Sequence, residues 1–304
     1  RARLLSLNVQ AFDSAKWRAQ TLVADARTGL SQLGEVLGGA LAGWSADGMW
    51  TARARKLADA WRARVMQLTT AVPQATLPYD AEVIGAVRDS TADSPTDDVV
   101  VCAAGTLPAE LHKLWRAAGP GNYHVEYGFS CMGYEIAGGL GVKMARPQQE
   151  VIVMVGDGSY MMMNSELATA VMLGHKLIVV VLDNRGYGCI HRLQRQSGGA
   201  RFNNMLDDCL PEAGGSPAHI DFAAHAASMG AEAVHVTGLP ALRAAMVAAR
   251  AATSTQLIVI DTTAERSTED GGCWWEVAIP EISARSEVGD AHARYLAGKQ
   301  AQRI

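Results

Sequence analysis

The stretch "VIVMVGDGSYMMMNSELATAVMLGHKLIVVVLDNRGYG", residues 151–188, decides how the chain is read. It holds two continuous apolar runs, 151–155 and 176–182, with a helical pattern at 160–173 between them. Runs without polar alternation fit strands covered on both faces, as in a parallel sheet. Each run ends at once in a polar turn: Gly156-Asp157-Gly158-Ser159 after the first, Asp183-Asn184-Arg185-Gly186 after the second. If the strands are neighbours, both turns lie at the carboxyl edge of the sheet, where such folds bind ligands. The glycines flanking Asp157 let the backbone turn tightly and come close to a bound group. Asp157 and Asn184 offer hard oxygen donors suited to Mg²⁺ or Ca²⁺. The amides of Gly158, Ser159 and the first helical turn attract an anion. Either turn alone reads as local turn chemistry, an Asx turn for the Asp-Asn pair. Together, at this spacing, they point to a cation bridging the protein to a diphosphate.

The same rhythm extends in both directions. Strands are expected at 98–105, 231–236 and 256–261, and helices at 108–115, 131–145, 221–230 and 239–252. Apolar strands alternating with helices predict an α/β fold, a doubly wound parallel sheet. Upstream, strands at 4–8 and 21–26 and a helix at 28–37, with Leu30, Leu33 and Leu37 in a stripe, predict the end of a second α/β domain over 1–43. The segment 44–72 is expected to be a linker whose amphipathic helix, 50–68, carries Trp50, Leu57, Trp61, Val65 and Leu68 on one side. The sheet domain is expected over 73–265, and 266–304 as a C-terminal tail. The chain begins at Arg1 inside a strand-like run, which suggests a piece of a longer protein.

Composition narrows the function. The 304 residues are 49% hydrophobic and 19% charged, with a formal charge of −4, so no basic field exists to hold nucleic acid. No apolar run is long enough for a membrane span. Five scattered cysteines without a CxxC pair fit free thiols in a reducing, cytoplasmic compartment. "GGLGVKMA" (138–145) resembles a dinucleotide fingerprint, but it precedes a strand instead of following one, so no NAD site is expected.

Gly156-Asp157-Gly158, 25 residues and then Asn184 resembles the metal and diphosphate motif of thiamine-diphosphate enzymes. That family usually ends the motif in Asn-Asn; here Asp183 replaces the first, while the metal-binding second position is intact. The resemblance implies Mg²⁺ held by Asp157, Asn184 and the carbonyl of Gly186, and a diphosphate lying against Gly156, Gly158 and Ser159. A second stretch, "YGFSCMGYEIAGGLG" (127–141), resembles the segment beneath the cofactor ring, with Met132 as the bulky residue that bends the cofactor and Ser130 facing the aminopyrimidine. By the same resemblance Thr106 and Leu107 also touch the cofactor.

Longer stretches, "CAAGTLPAELHKLW" (102–115), "YHVEYGFSCMGYEIAGGLGVKMA" (123–145), "GDGSYMMMNSE" (156–166) and "GGCWWEV" (271–277), are similar to a branch of the family that opens a trihydroxylated cyclohexane-1,2-dione ring in inositol breakdown. This implies a cyclic dione as substrate, C–C hydrolysis to 5-deoxyglucuronic acid, and a homodimer or homotetramer of the full-length enzyme. The family's cofactor-activating glutamate belongs to an earlier domain, and no part of this sequence matches it. His124, Glu126 and His191, near presumed strand ends, are the candidate substrate-side acid or base groups. Trp274 and Trp275 are candidates either to cover the site or to pack at a subunit boundary. A carboligase or 2-oxoacid decarboxylase of the same family, and a non-catalytic cofactor-binding half of a split enzyme, remain the alternatives.

Overall fold

The computed structural model describes residues 3–72, 76–90, 97–210, 215–269 and 276–302, so the expectations for Trp274 and Trp275 fall outside it. The chain divides into two units, Arg1–Ala60 and Trp61–Ile304. In the first unit β1 (Leu5–Asn8) and β2 (Gln20–Val23) form a parallel pair, connected through the short helix α1 (Ala11–Ser14) and followed by α2 (Ala26–Ala40). Asp25 starts α2 by accepting the Thr28 amide hydrogen at 2.9 Å. Leu30 and Leu37, two residues of the expected apolar stripe, are exposed. The break between the units falls inside α3 (Gly48–Leu68), the helix expected to serve as linker. Val65 of α3 is buried in the second unit, with Trp61 and Leu68 packed beside it.

The second unit is a six-stranded, all-parallel sheet. Its strands are β3 (Val99–Cys102), β4 (Tyr123–Val125), β5 (Val151–Gly156), β6 (Ile178–Asp183), β7 (Glu232–Val236) and β8 (Gln256–Asp261), in spatial order β4-β3-β5-β6-β8-β7. The two apolar runs 151–155 and 176–182 are neighbours, paired in register from Ile152↔Ile178 to Gly156↔Leu182. Alternate residues of each strand face opposite layers. One layer packs Ile152, Met154, Ile178 and Val180 under α4 (Asp80–Arg88), α5 (Leu107–Leu114) and α11 (Gly238–Ala251). The other packs Val153, Val155, Val179 and Val181 under α6 (Tyr134–Ala145), α8 (Glu166–Met172) and α10 (Phe222–Ser228). This double covering is why the strands carry no polar alternation.

Several elements differ from the sequence expectation. The helix after β5 begins at Asp157 itself, as α7 (Asp157–Met162), so Asp157, Gly158 and Ser159 lie in its first turn and not in a loop before it. Strand runs into helix without a connector. The expected single helix 160–173 is two, broken at residues 163–165, where Asn164 Nδ2 donates back to the Tyr160 carbonyl at 3.1 Å. Among the described residues four α-helices were not expected: the short α1, α4, α9 (Gly188–Gln196) and α12 (Ser286–Ala301), the last lying in the expected tail. β4, also not expected as a strand, is three residues at the sheet edge.

Candidate cofactor and metal site

The chain direction makes a site at one place on the sheet. From β3 the connection runs through α5 on one face to β4. From β5 it runs through α7 and α8 on the other face to β6. The order therefore reverses between β3 and β5, and their carboxyl ends splay apart into a crevice. A cavity of about 440 Å³ lies there. One wall, after β3, brings Thr106 and Leu107. A second, between β4 and α6, brings Ser130 and Met132. The floor is Gly156, Asp157, Gly158 and Ser159, and the far wall is Asn184 and Gly186. All ten residues named from the sequence for metal and cofactor line this one cavity.

The floor and far wall are locked together. Asp157 is 4% exposed, and its Oδ2 accepts the Gly186 amide hydrogen at 2.7 Å. Gly186 has φ +144, and a side chain there would run into the Asn204 carbonyl. Only glycine lets the loop come this close to the segment at 204–206, which pins it by the bonds Tyr187 N to Asn204 O (2.7 Å) and Leu206 N to Arg185 O (2.9 Å). Asp183 makes the Asx turn that its position suggests, its Oδ1 accepting from Arg185 N at 2.9 Å.

The remaining oxygens carry the chemistry. Asp157 Oδ1 and Asn184 Oδ1 are both buried and without a hydrogen-bond partner. A buried acceptor left unpaired costs about 1–3 kcal/mol, and a carboxylate more. Burial, with the neighbouring Asp183 carboxylate second, pushes Asp157 up to about 7. A divalent cation would satisfy both orphaned oxygens and return the carboxyl to its charged form. Among the described residues no group of three His, Cys, Asp or Glu side chains converges on a metal. The groups this cavity offers are instead a carboxylate, an amide and main-chain carbonyls, all oxygens, which would suit Mg²⁺ or Ca²⁺ better than zinc.

The three acid or base candidates lie elsewhere. His124 sits on β4 with Nε2 3.1 Å from the Gly121 carbonyl and faces a separate groove beside α6. Glu126 accepts the amide hydrogens of Phe129, at 2.9 Å, and Cys131, which hold its carboxyl below the usual range. It shapes the 127–131 loop and does not line the cavity. His191 is on α9, 0% exposed, with Nε2 3.4 Å from Glu265 Oε1. Asp80, Tyr127, Tyr187, Cys189 and Ile190, which carried no site expectation from the sequence, also line the cavity. Asp80, at the start of α4, is also pushed up to about 7 by burial, against the pull of Arg192. Arg192 donates to the Thr106 hydroxyl and to the Ala264 carbonyl, fixing the wall after β3.

The chain is similar to several known proteins. The family model for the thiamine pyrophosphate enzyme, C-terminal TPP binding domain, matches residues 103–262. The chain is 33% identical over 310 residues to the 3D-(3,5/4)-trihydroxycyclohexane-1,2-dione hydrolase of Geobacillus thermodenitrificans, covering 96% of this chain and 48% of the relative. It is 40% identical over 210 residues to a Bacillus cereus protein of the same name, covering 68% of this chain and 33% of that one. The chain thus spans at most about half the length of these relatives. Among solved structures, a thiamine diphosphate-dependent 4-hydroxybenzoylformate decarboxylase from Rhodococcus jostii matches with a TM-score of 0.55 at 20% identity, over 64% of this chain and 34% of that one. Benzoylformate decarboxylase from Polynucleobacter necessarius gives 0.55 at 19%, over 66% and 36%. At such identities the likeness is one of fold. With the cavity at the reversal point and oxygen donors fit for a divalent cation, the matched domain places the chain in the thiamine pyrophosphate enzyme family, whose cofactor is thiamine diphosphate with Mg²⁺.

Proposed function

We propose that this chain is the diphosphate- and Mg²⁺-binding half of a thiamine-diphosphate-dependent hydrolase that opens a trihydroxylated cyclohexane-1,2-dione by C–C cleavage. The observation that carries the cofactor half is the pair of buried, unpartnered oxygens, Asp157 Oδ1 and Asn184 Oδ1, in one cavity. In this reading they ligate Mg²⁺ together with the Gly186 carbonyl. The main-chain amides of Gly158 and Ser159 receive the diphosphate, and Thr106 and Leu107 flank it. Met132 supports the cofactor ring from below, with Ser130 on the aminopyrimidine side. The substrate half is supported by the 33% identity to a hydrolase of that name along 96% of the chain.

When bound, the cofactor supplies a carbon nucleophile and a sink for the electron pair released as the C–C bond breaks. The net reaction adds water across the bond between the two carbonyls, leaving one carbon as a carboxylate and the other as an aldehyde. The protein's part is to hold the cofactor rigidly and keep the cleft dry. Leu107, Tyr187 and Ile190 provide apolar surface for this. No helix among the described residues is long and apolar enough to cross a membrane. The reading includes a cytoplasmic homodimer or homotetramer acting in inositol catabolism, with the activating acid supplied from outside this chain.

The test uses the full-length protein that contains this chain, loaded with thiamine diphosphate and Mg²⁺ and given a cyclic 1,2-dione and pyruvate in separate assays. The expected result is a ring-opened acid from the dione and no turnover of pyruvate. Turnover of pyruvate alone would assign the chain to a decarboxylase or carboligase instead.

A further inference from the structure

Glu135 breaks the ordinary rule of burial. It lies in the first turn of α6, is 1% exposed, and is held by hydrogen bonds instead of a counter-charge. Carboxylates are seldom buried this deeply without a reason, because desolvating the charge is expensive. The Ser159 hydroxyl lies 2.8 Å from Oε1 and 2.9 Å from Oε2 and donates its one hydrogen to the carboxylate. The Gly133 amide lies 3.0 Å from Oε2 and 2.8 Å from Ser159 Oγ. Burial raises the Glu135 pKa. Its own amide, the Ser159 hydroxyl, and the amides of Gly133 and Ala104 pull it back.

These partners come from three separate segments. Ala104 follows β3, Gly133 precedes α6, and Ser159 is in the first turn of α7. Each belongs to or adjoins a wall of the cavity: the Thr106 wall, the Met132 wall and the Asp157 floor. Gly133 is itself tightly placed, with φ +92 and room for no side chain, since a Cβ would lie 2.8 Å from Met163 Cβ. The Ser159 hydroxyl hydrogen is committed to Glu135 and its oxygen accepts from Gly133, so Ser159 meets an anion through its main chain and not its hydroxyl.

We propose that Glu135 is a positioning residue of the cofactor cavity, whose carboxylate sets the separation of the Met132 wall from the Asp157–Ser159 floor so that one ligand engages both. This rests on reading the cavity as the thiamine diphosphate site. A ligand that touches only the floor does not need the clamp, and one that spans ring and diphosphate does.

The contrast is measurable in the 304-residue chain with Mg²⁺, by calorimetric titration with thiamine diphosphate and, separately, with inorganic pyrophosphate. Glu135→Ala is expected to weaken thiamine diphosphate by about tenfold or more and pyrophosphate by less than about threefold. Glu135→Gln keeps the shape and one acceptor oxygen, and is expected to recover most of the lost affinity. If Glu135→Ala does not fold, the same contrast is read on Ser159→Ala, which removes the hydroxyl that the carboxylate holds. Equal losses for both ligands, or thiamine diphosphate affinity unchanged, would overturn the proposal alone. A wild-type chain that binds neither ligand would overturn the cofactor reading and this proposal with it.

Discussion

Asp157 is the residue on which the site's energetics turn. Its folded pKa of about 7 stands above the ordinary 3.8, first through burial and then through Asp183. Between about pH 4 and 7 the metal-free folded state therefore holds a proton that the unfolded chain has lost, so stability falls as pH rises through that window and levels off above it. Asp80 acts with the same sign over the same window. Carboxyls held low, such as Glu126, act the other way: their contribution is full above the ordinary carboxylate pKa and fades below it. Thermal scans of the metal-free chain are expected to show a melting temperature that drops from pH 5 to pH 7.5. Asp157→Asn should flatten part of that slope, and Mg²⁺ with thiamine diphosphate should reverse it at pH 7.5 in the wild type only. A melting temperature that rises across the interval would show that Asp157 is not a buried acid awaiting a cation.

At the scale of elements, the opposite edge of the sheet separates stability from function. Arg250, at the end of α11, grips Asp98 at the start of β3 with two bonds of 3.1 and 2.7 Å and reaches Ser90 Oγ at 3.1 Å. Both partners are largely buried. Arg250→Met removes both of these charge-assisted bonds from the largely buried Asp98 carboxylate and is expected to cost about 1–3 kcal/mol. Denaturant melts should show that loss, while Mg²⁺-dependent affinity per folded molecule stays at the wild-type level. A stability change under about 1 kcal/mol would contradict the clamp. The strands that α11 and its neighbours cover were legible in the sequence because burial on both faces leaves an unbroken apolar run. The helices that escaped notice did so for physical reasons. All nine residues of α4 are buried, so it shows no polar face and no period. α9 and α12 bury only two residues each, so neither leaves a long apolar stripe in the sequence. The break between α7 and α8 rests on Asn164 bonding back to Tyr160, a tertiary detail that helical periodicity across 160–173 conceals.

Across the whole molecule, four segments between Thr106 and Gly186 converge on one cavity because the sheet reverses its order between β3 and β5. The glycine turn and the Asp-Asn turn announced that convergence from the sequence, since both follow apolar runs that a parallel sheet makes neighbours. His124, Glu126 and His191 were harder to place. Strand ends position the backbone, but side-chain direction depends on edge pairing, loop bonds and the unforeseen α9. Asp80 was equally hidden, lying on a helix that left no pattern. The central claim is a cation held between Asp157 and Asn184 that in turn holds a diphosphate. Its most direct test is calorimetric titration of the chain with thiamine diphosphate, with and without Mg²⁺, in the wild type, Asp157→Ala and Asn184→Ala. Binding that requires Mg²⁺ and weakens by about tenfold or more in each variant is the predicted result. Binding indifferent to Mg²⁺, or unchanged by both substitutions, would contradict it.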